Sequence, residues 1–445
     1  MLITNGTLIT WGMQNAVIAN GAVYVQDGTI TDMGAAADLE TRYPHAERLD
    51  ARGQLIMPGL ICAHTHFYGA YARGMAIPGE PPRDFPEILR RLWWNLDKAL
   101  DTDSVRMSAL VCLVDAIRHG TTTLFDHHAS PNAIDGSLDV IADAVTQAGL
   151  RAVLCYEVTD RDGRDKAEAG IAENLRFMRT HRDHPLLRGT FGLHASLSLS
   201  DATLERVASV LNDDEGVHIH VAEHEADEDD SETQYRLRVV ERLARFGLLR
   251  PQTILAHCVH VDERERTLIR EHGCWVTHQP RSNMNNAVGA MAFDTMMREG
   301  IQVCIGNDGF SNAMWEEWKA AYLLHKITHR DPRLANGADV AQVGAQHNAA
   351  LASAHFGVPV GGLAIGAQAD IILVDYQPYT PLTSGNLPWH ILFGFEPSMV
   401  TTTMCAGKLL MRDRQLLTLD AAAIARGALA LADGVWARYA AIAGA

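Results

Sequence analysis

The sequence predicts an α/β protein: a (β/α)8 TIM barrel carrying a small β-sandwich domain built from both chain ends. Three observations point there. The middle of the chain alternates apolar strand candidates with helical patterns. The two ends share a different texture of short strands and turns. Polar side chains gather at the carboxyl ends of the apolar strands. Strand–helix alternation implies parallel strands joined by right-handed crossovers. Eight such units match a closed barrel, which typically takes ~250 residues. The alternative is an open doubly wound sheet, and the tally of eight favours closure.

In chain order, residues 1–57 read as short strands, "LITNGTLITW", "GAVYVQDGTITDMG" and "GQLIMPG", with N-G and D-G pairs as hairpin signals. The texture returns in "GGLAIGAQADIILVDY" and "MVTTTMCAGKLLMRD", so 1–57 and 358–420 are expected to form one composite β domain. The barrel then occupies 58–357. Its strand candidates are "GLICAH" (59–64), "TTLFDH" (122–127), "RAVLCYEV" (151–158) and "GTFGLHA" (189–195). "VHIHVAE" (217–223), "TILAHC" (253–258), "CWVTHQ" (274–279) and "IQVCIGND" (301–308) complete the set. Between the first two, Val105, Ala109, Leu113 and Ile117 recur at helical spacing, with Gly120 as the stop. The acidic run "EHEADEDDSE" (223–232) is expected to be a solvated loop entering a helix, and 421–445 a C-terminal helical segment.

The totals exclude several classes. At 445 residues, 47% hydrophobic and 21% charged, this is an ordinary soluble composition. A formal charge of −16 repels phosphate backbones and anionic membranes, so neither nucleic acid nor membrane is an expected partner. Seven cysteines without a C-x-x-C are the usage of a reducing compartment. With no secretory pattern in "MLITNGTLITWG" and no apolar stretch of ~20 residues, a cytoplasmic location is expected.

Chemistry in such barrels sits at the carboxyl ends of the strands. Those ends carry His64 and His66, Asp126–His127–His128, His194, His220 with Glu223, His257, and Asp308. His64 and His66, two residues apart, project to one face if the strand runs through them, which is half of a metal site.

Taken in order, "PGLICAHTH", "HVAE", "LAHCVH", "PRSNM" and "GNDG" resemble the amidohydrolase superfamily, in its metal-dependent aminohydrolase (deaminase and chlorohydrolase) branch. "ICAHTHFYGA", "DHHASPNAIDGSLD" and "SNMNNAVG" narrow the likeness to the aminohydrolase group called SsnA. The resemblance implies one divalent metal ion held by His64, His66, His220 and Asp308. Three imidazoles and a carboxylate suit zinc, with ferrous iron as the alternative. A metal lowers the pKa of its water towards ~7. Relatives with two metals usually bring a carboxylated lysine. None of the five lysines here ends a strand; a glutamate bridge is the alternative, and one metal is the simplest reading.

By the same resemblance Glu223 is a proton shuttle, His257 polarises the attacking water, and Asp308 also accepts its proton. His194 matches a position that contacts the substrate ring, although Ser196 replaces the usual proline. His127 and His128 are placed near the pocket, and Arg281, Asn283 and Asn285 are candidate polar contacts. Asn285 and Asn286 depart from the family's Lys/Arg–Leu. The long loop after the first strand, "FYGAYARGMAIPGEPPRDFPEILRRLWWNLD", is a candidate lid or wall. Its Trp93 and Trp94 are expected to pack a helix or subunit interface, and Cys62 is expected on the side of His64.

The expected function is hydrolytic deamination of an amino-substituted, purine-like heterocycle, releasing ammonia. The alternatives are hydrolysis of a cyclic amide C–N bond or loss of another ring leaving group at the same metal, or a non-catalytic metal-binding scaffold. The expected partner is a small heterocyclic substrate, and the resemblance implies a homodimer.

Overall fold

A computed structural model describes residues 1–11 and 15–444. Eight parallel strands form a closed ring. In order they are Leu60–Thr65, Thr121–His128, Arg151–Tyr156, Phe191–Ala195, Val217–Val221, Ile254–His257, Trp275–His278 and Gln302–Ile305. They bond as two ladders. The short strand Leu187–Gly189 completes the edge of the third. Bridges at Val158–Leu193 and Thr65–Asp308 join the ladders into a ring. The fourth strand candidate is thus split at Thr190, one half pairing with the third strand and the other with the fifth.

Inside the ring pack Ile61, Ala63, Phe125, Val153, Ile254 and Cys304, closed below by Leu351, Ala352 and Phe356. Outside it, Val105, Ala109, Leu113 and Ile117 of the helix Thr102–Arg118 bury the predicted stripe. Asp101 caps that helix by accepting from Ser104 N, and Gly120 follows it at φ 76°. Cys62 lies in this outer core, its Sγ donating to the His64 carbonyl at 3.3 Å and not turned with the imidazole. The pairing register shifts between Cys62 and Thr65, so strict alternation fails there.

The chain ends build one continuous mixed sheet of nine strands. Leu55–Pro58 is paired by Leu2–Ile9 on one side and Ile371–Val374 on the other. The buried Arg151–Asp370 ion pair ties this sheet to the barrel. Two N-G pairs are not hairpin turns. Gly6 and Gly21 face each other inside adjacent strands with register shifts on both sides, and Asn5 and Asn20 take φ of 59° and 49°. A Cβ at Gly6 would come within 2.7 Å of Gln54 O, so these glycines admit bulges and close packing. The D-G pair at Asp27–Gly28 does turn the chain. The acidic run is also different from expectation. Helix Glu225–Tyr235 begins within it, and Asp227 and Glu228 are buried, Asp227 accepting from Leu197 N and Ala222 N.

Candidate metal centre and catalytic cavity

Ring closure builds the site. His64 O accepts from Asn307 N (2.9 Å) and Asp308 N (3.1 Å), and His66 N donates to Asp308 O (2.5 Å). The last barrel strand thereby sets the Asp308 carboxylate against the two first-strand imidazoles. A Cβ at Gly306 would lie 2.6 Å from His64 O, so only glycine lets the strands approach this closely. Asp308 and His257 adopt φ of 62° and 72°, and Ala222 and Cys258 do likewise at 45° and 49°. Four left-handed non-glycine residues at three strand ends are backbone cost concentrated where side chains must be aimed.

The aimed atoms converge. His66 Nε2 lies 3.0 Å from Asp308 Oδ1 and 3.1 Å from His220 Nε2, and His64 Nε2 lies 3.3 Å from the same Oδ1. Two ligands ~2.0–2.1 Å from one tetrahedral cation stand ~3.3 Å apart, so the separations fit a shared metal. The outer nitrogens are already engaged. His66 Nδ1 donates to His127 O, His220 Nδ1 donates to His194 O, and His64 Nδ1 meets His218 Nε2. This fixes the tautomers of His66 and His220 with their Nε2 lone pairs facing inward. His64 Nε2 is buried without a hydrogen-bond partner, which a metal bond would satisfy. Donor atoms of His64, His220, His257 and Asp308 all fall within 4.8 Å of one another. Lys166 bonds Asn132. A second set of donor atoms, from His66, His127, Glu157 and His220, also lies within 4.8 Å of one another.

Electrostatics follow burial. Desolvation drops His64 to about 3 and His257 to about 4, so both are neutral. His66 goes the other way: burial lowers its basicity, but the hydrogen bond to Asp308 lifts it to about 9. That proton sits on Nε2 beside Asp308, so a cation binding there displaces it. Burial and the nearby Asp308 charge push Glu223 well above the ordinary carboxyl range. Its Oε2 lies 3.4 Å from His257 Nε2, and its Oε1 accepts from Asn286 Nδ2 at 3.3 Å. Asn283 contacts His257 Nδ1 at 2.9 Å, and Ser282 Oγ donates to Asp308 Oδ2 at 2.5 Å.

These groups open into a solvent-connected cavity. His66, His220, Asp308, Glu223 and His194 line its polar end. Tyr68, Phe85, Leu89, Trp93, Trp94 and Leu197 line the rest. Trp93 and Trp94 are therefore cavity wall, where packing alone was expected. A π-helical turn, Leu89–Trp93, inside the loop after the first strand turns them inward.

Several predicted contacts lie elsewhere. Arg281 is turned from the cavity and paired with Glu316, Glu317 and Ser311 O. Asn285 is exposed and bonds Asn286, which is the residue that lines the cavity. His127 is buried below it, between His218 O and Glu157, and His128 bonds Ser130. Asn283 reaches the site only through His257. Ser282, Asn286 and Glu157 were missed. Glu157 follows the third strand in "CYEV" and is only 3% exposed. Burial raises its pKa, but His194 and the His127 hydrogen bond outweigh that and bring it to about 2.

A model of the amidohydrolase family matches residues 55–410. The chain belongs to this family. A bacterial imidazolonepropionase-like composite domain also matches residues 21–46, in the terminal sheet. The chain is 30% identical to a 5′-deoxyadenosine deaminase of Methanosarcina mazei over 98% of this chain and 99% of the relative. It is 29% identical to a 5-methylthioadenosine/S-adenosylhomocysteine deaminase of Syntrophomonas wolfei subsp. wolfei, over 94% and 95% respectively. The solved structure of an adenosine deaminase from Xanthomonas campestris with bound zinc superposes at a TM-score of 0.87, with 27% identity and 98% of each chain covered.

Proposed function

We propose that this amidohydrolase deaminates an amino-substituted, purine-like heterocycle by hydrolysis, releasing ammonia. The observation that carries the reading is the meeting of Glu223 and His257, 3.4 Å apart, beside the convergent ligand atoms at the polar end of an aromatic-walled cavity. The deaminase names of the relatives support it.

His64, His66, His220 and Asp308 would hold one divalent cation, zinc by the donor set. The cation supplies Lewis-acid activation of a water molecule. Glu223, protonated in its buried setting, delivers a proton to the ring nitrogen next to the amino-bearing carbon. Asp308 accepts one proton of the attacking water and gives it to the departing amine, and the remaining hydroxyl proton returns to Glu223 as the carbonyl forms. His257, oriented by Asn283, stabilises the oxygen on which charge develops. The aromatic wall holds the ring flat against this end and excludes bulk water.

A homodimer working in the cytoplasm belongs to the same reading. Exposed Leu323, Ile327 and Phe393 on neighbouring helices supply an apolar face that a dimer would cover, and the seven free cysteines suit a reducing compartment.

The test incubates zinc-replete protein with adenine, guanine and their nucleosides and assays ammonia. The expected result is ammonia in step with substrate loss, cut ~10²–10⁴-fold in Glu223→Gln at unchanged zinc content. A ring-opened product without ammonia, or full activity in that variant, would sink the reading.

A further inference from the structure

Glu157 takes no part in the mechanism above, yet it lines the cavity and is almost wholly buried. Its Oε2 accepts from His127 Nδ1 at 3.1 Å. Its Oε1 lies 3.7 Å from His194 Nε2, beyond hydrogen-bond length. The reason is legible in the next contacts. Ser198 Oγ donates to Ala195 O at 3.1 Å, so it accepts from His194 Nδ1 at 2.6 Å. A neutral His194 with its proton on Nδ1 presents a lone pair at Nε2. Glu157 Oε1 and His194 Nε2 are then two acceptors side by side with no proton between them. Such a pair is satisfied by a ligand that brings two donors.

The charge of the cavity adds a second constraint. Among the described residues no lysine or arginine lines it, whereas Glu157, Glu223, Asp227 and Asp308 do. Arg161, which stacks on the Trp94 ring, is spent on Asp97 and Asp162. A phosphate or carboxylate held away from the metal end would be desolvated beside Glu157 with no lysine or arginine to pair it.

We propose that Glu157 and His194 form the substrate-reading edge of the cavity, selecting an aminated heterocycle that presents two adjacent N–H or O–H donors and bears no anionic group. This rests on the deaminase reading for its chemistry, but its test does not need turnover. Glu157 is a specificity-determining residue. Its hydrogen bond to a donor is charge-assisted, and losing the charge costs the ligand more than losing a neutral contact.

The experiment measures equilibrium binding, by quenching of tryptophan fluorescence, on zinc-replete protein. The probes are adenine, guanine, adenosine, guanosine and the two nucleoside 5′-monophosphates, with ammonia assayed in parallel. At least one neutral compound is expected to bind, and each monophosphate ~100-fold more weakly than its nucleoside. In Glu157→Gln the best neutral ligand weakens ~10-fold at unchanged zinc content and melting temperature. Leu197→Arg, which puts a cation on the half-buried wall without touching Glu157, is expected to narrow the nucleoside–nucleotide gap ~10-fold. Monophosphates binding within threefold of nucleosides, unchanged affinity in Glu157→Gln, loss of zinc in that variant, or no binding by any neutral compound would each overturn the proposal. Neutral ligands that bind in this pattern without releasing ammonia would instead strike the deaminase reading and leave this one standing.

Discussion

Asp308 shows how much one residue is asked to hold. It sits at φ 62°, its backbone closes the barrel onto His64 and His66, and its two oxygens face different partners. Oδ1 faces the imidazoles, and Oδ2 is claimed by Ser282 Oγ. A carboxylate left free to rotate would present its oxygens to the cation at random. Ser282→Ala is therefore expected to weaken zinc affinity ~10–100-fold, the usual range for losing a group that orients a ligand. Competition with a chromogenic chelator reads this directly, and equal affinities would show the Ser282 bond to be incidental. The fold should be untouched, because Ser282 has no other side-chain role beyond the 3.3 Å contact from Asn286.

At the scale of elements, Gly306 belongs to the closure, not the chemistry. Its missing Cβ is where His64 N and O pass, at 2.7 and 2.6 Å from the position a methyl would take. Backbone cannot swing aside as a side chain can, so Gly306→Ala should cost on the order of 1–3 kcal/mol or more. A thermal midpoint equal to wild type would refute that. The same scale explains what could be read in advance. Strand ends carrying His64, His66, His220, His257 and Asp308 were legible because apolar strands punctuated by polar residues survive in the sequence whatever the loops do. The segment "PRSNMNN" invites contacts at its odd positions, Arg281, Asn283 and Asn285. It is instead a helix, Pro280–Asn285, in which Ser282 and Asn286 share one face and Arg281 and Asn285 another. The inward direction of Trp93 and Trp94 is not legible in the sequence, because the π-helical turn Leu89–Trp93 sets where they point. The C-terminal helix, Ala421–Ala443, braces that wall through bonds that no local pattern announces. Trp436 Nε1 donates to Tyr71 O, Tyr439 Oη to Arg91 O and Arg438 Nε to Ala99 O. Trp436→Ala combined with Tyr439→Phe should raise KM several-fold while kcat holds, because the wall loosens and the metal end does not. A fall in kcat alone would place the helix's influence elsewhere.

The whole molecule carries its acid sensitivity in buried neutral histidines, and His325 isolates the effect from the metal. It is fully buried on the helix Met314–His329, stacked on Phe293 with ring centroids 5.1 Å apart, and its Nε2 lies 3.0 Å from His278 Nε2. Burial, reinforced by the nearby charges of His329 and Lys326, lowers its pKa from 6.5 to about 4. The folded state thus binds this proton less readily than the unfolded chain. The contribution to stability is present above pH 6.5, falls as the pH drops through that value, and is fully lost near pH 4. The shift corresponds to about 3 kcal/mol. His325→Phe keeps the stacking and removes the titration. The variant is expected to start lower at pH 7, having lost the contact with His278, and then to lose less than wild type between pH 7 and pH 4.5, by about 2–3 kcal/mol. Denaturation at the two pH values measures the double difference. Release of a bound divalent cation in acid would destabilise both proteins alike and cancel from it, as does the lost contact. Parallel losses in the two proteins would mean that His325 is already protonated in the fold, sharing its charge with His278 instead of resisting it.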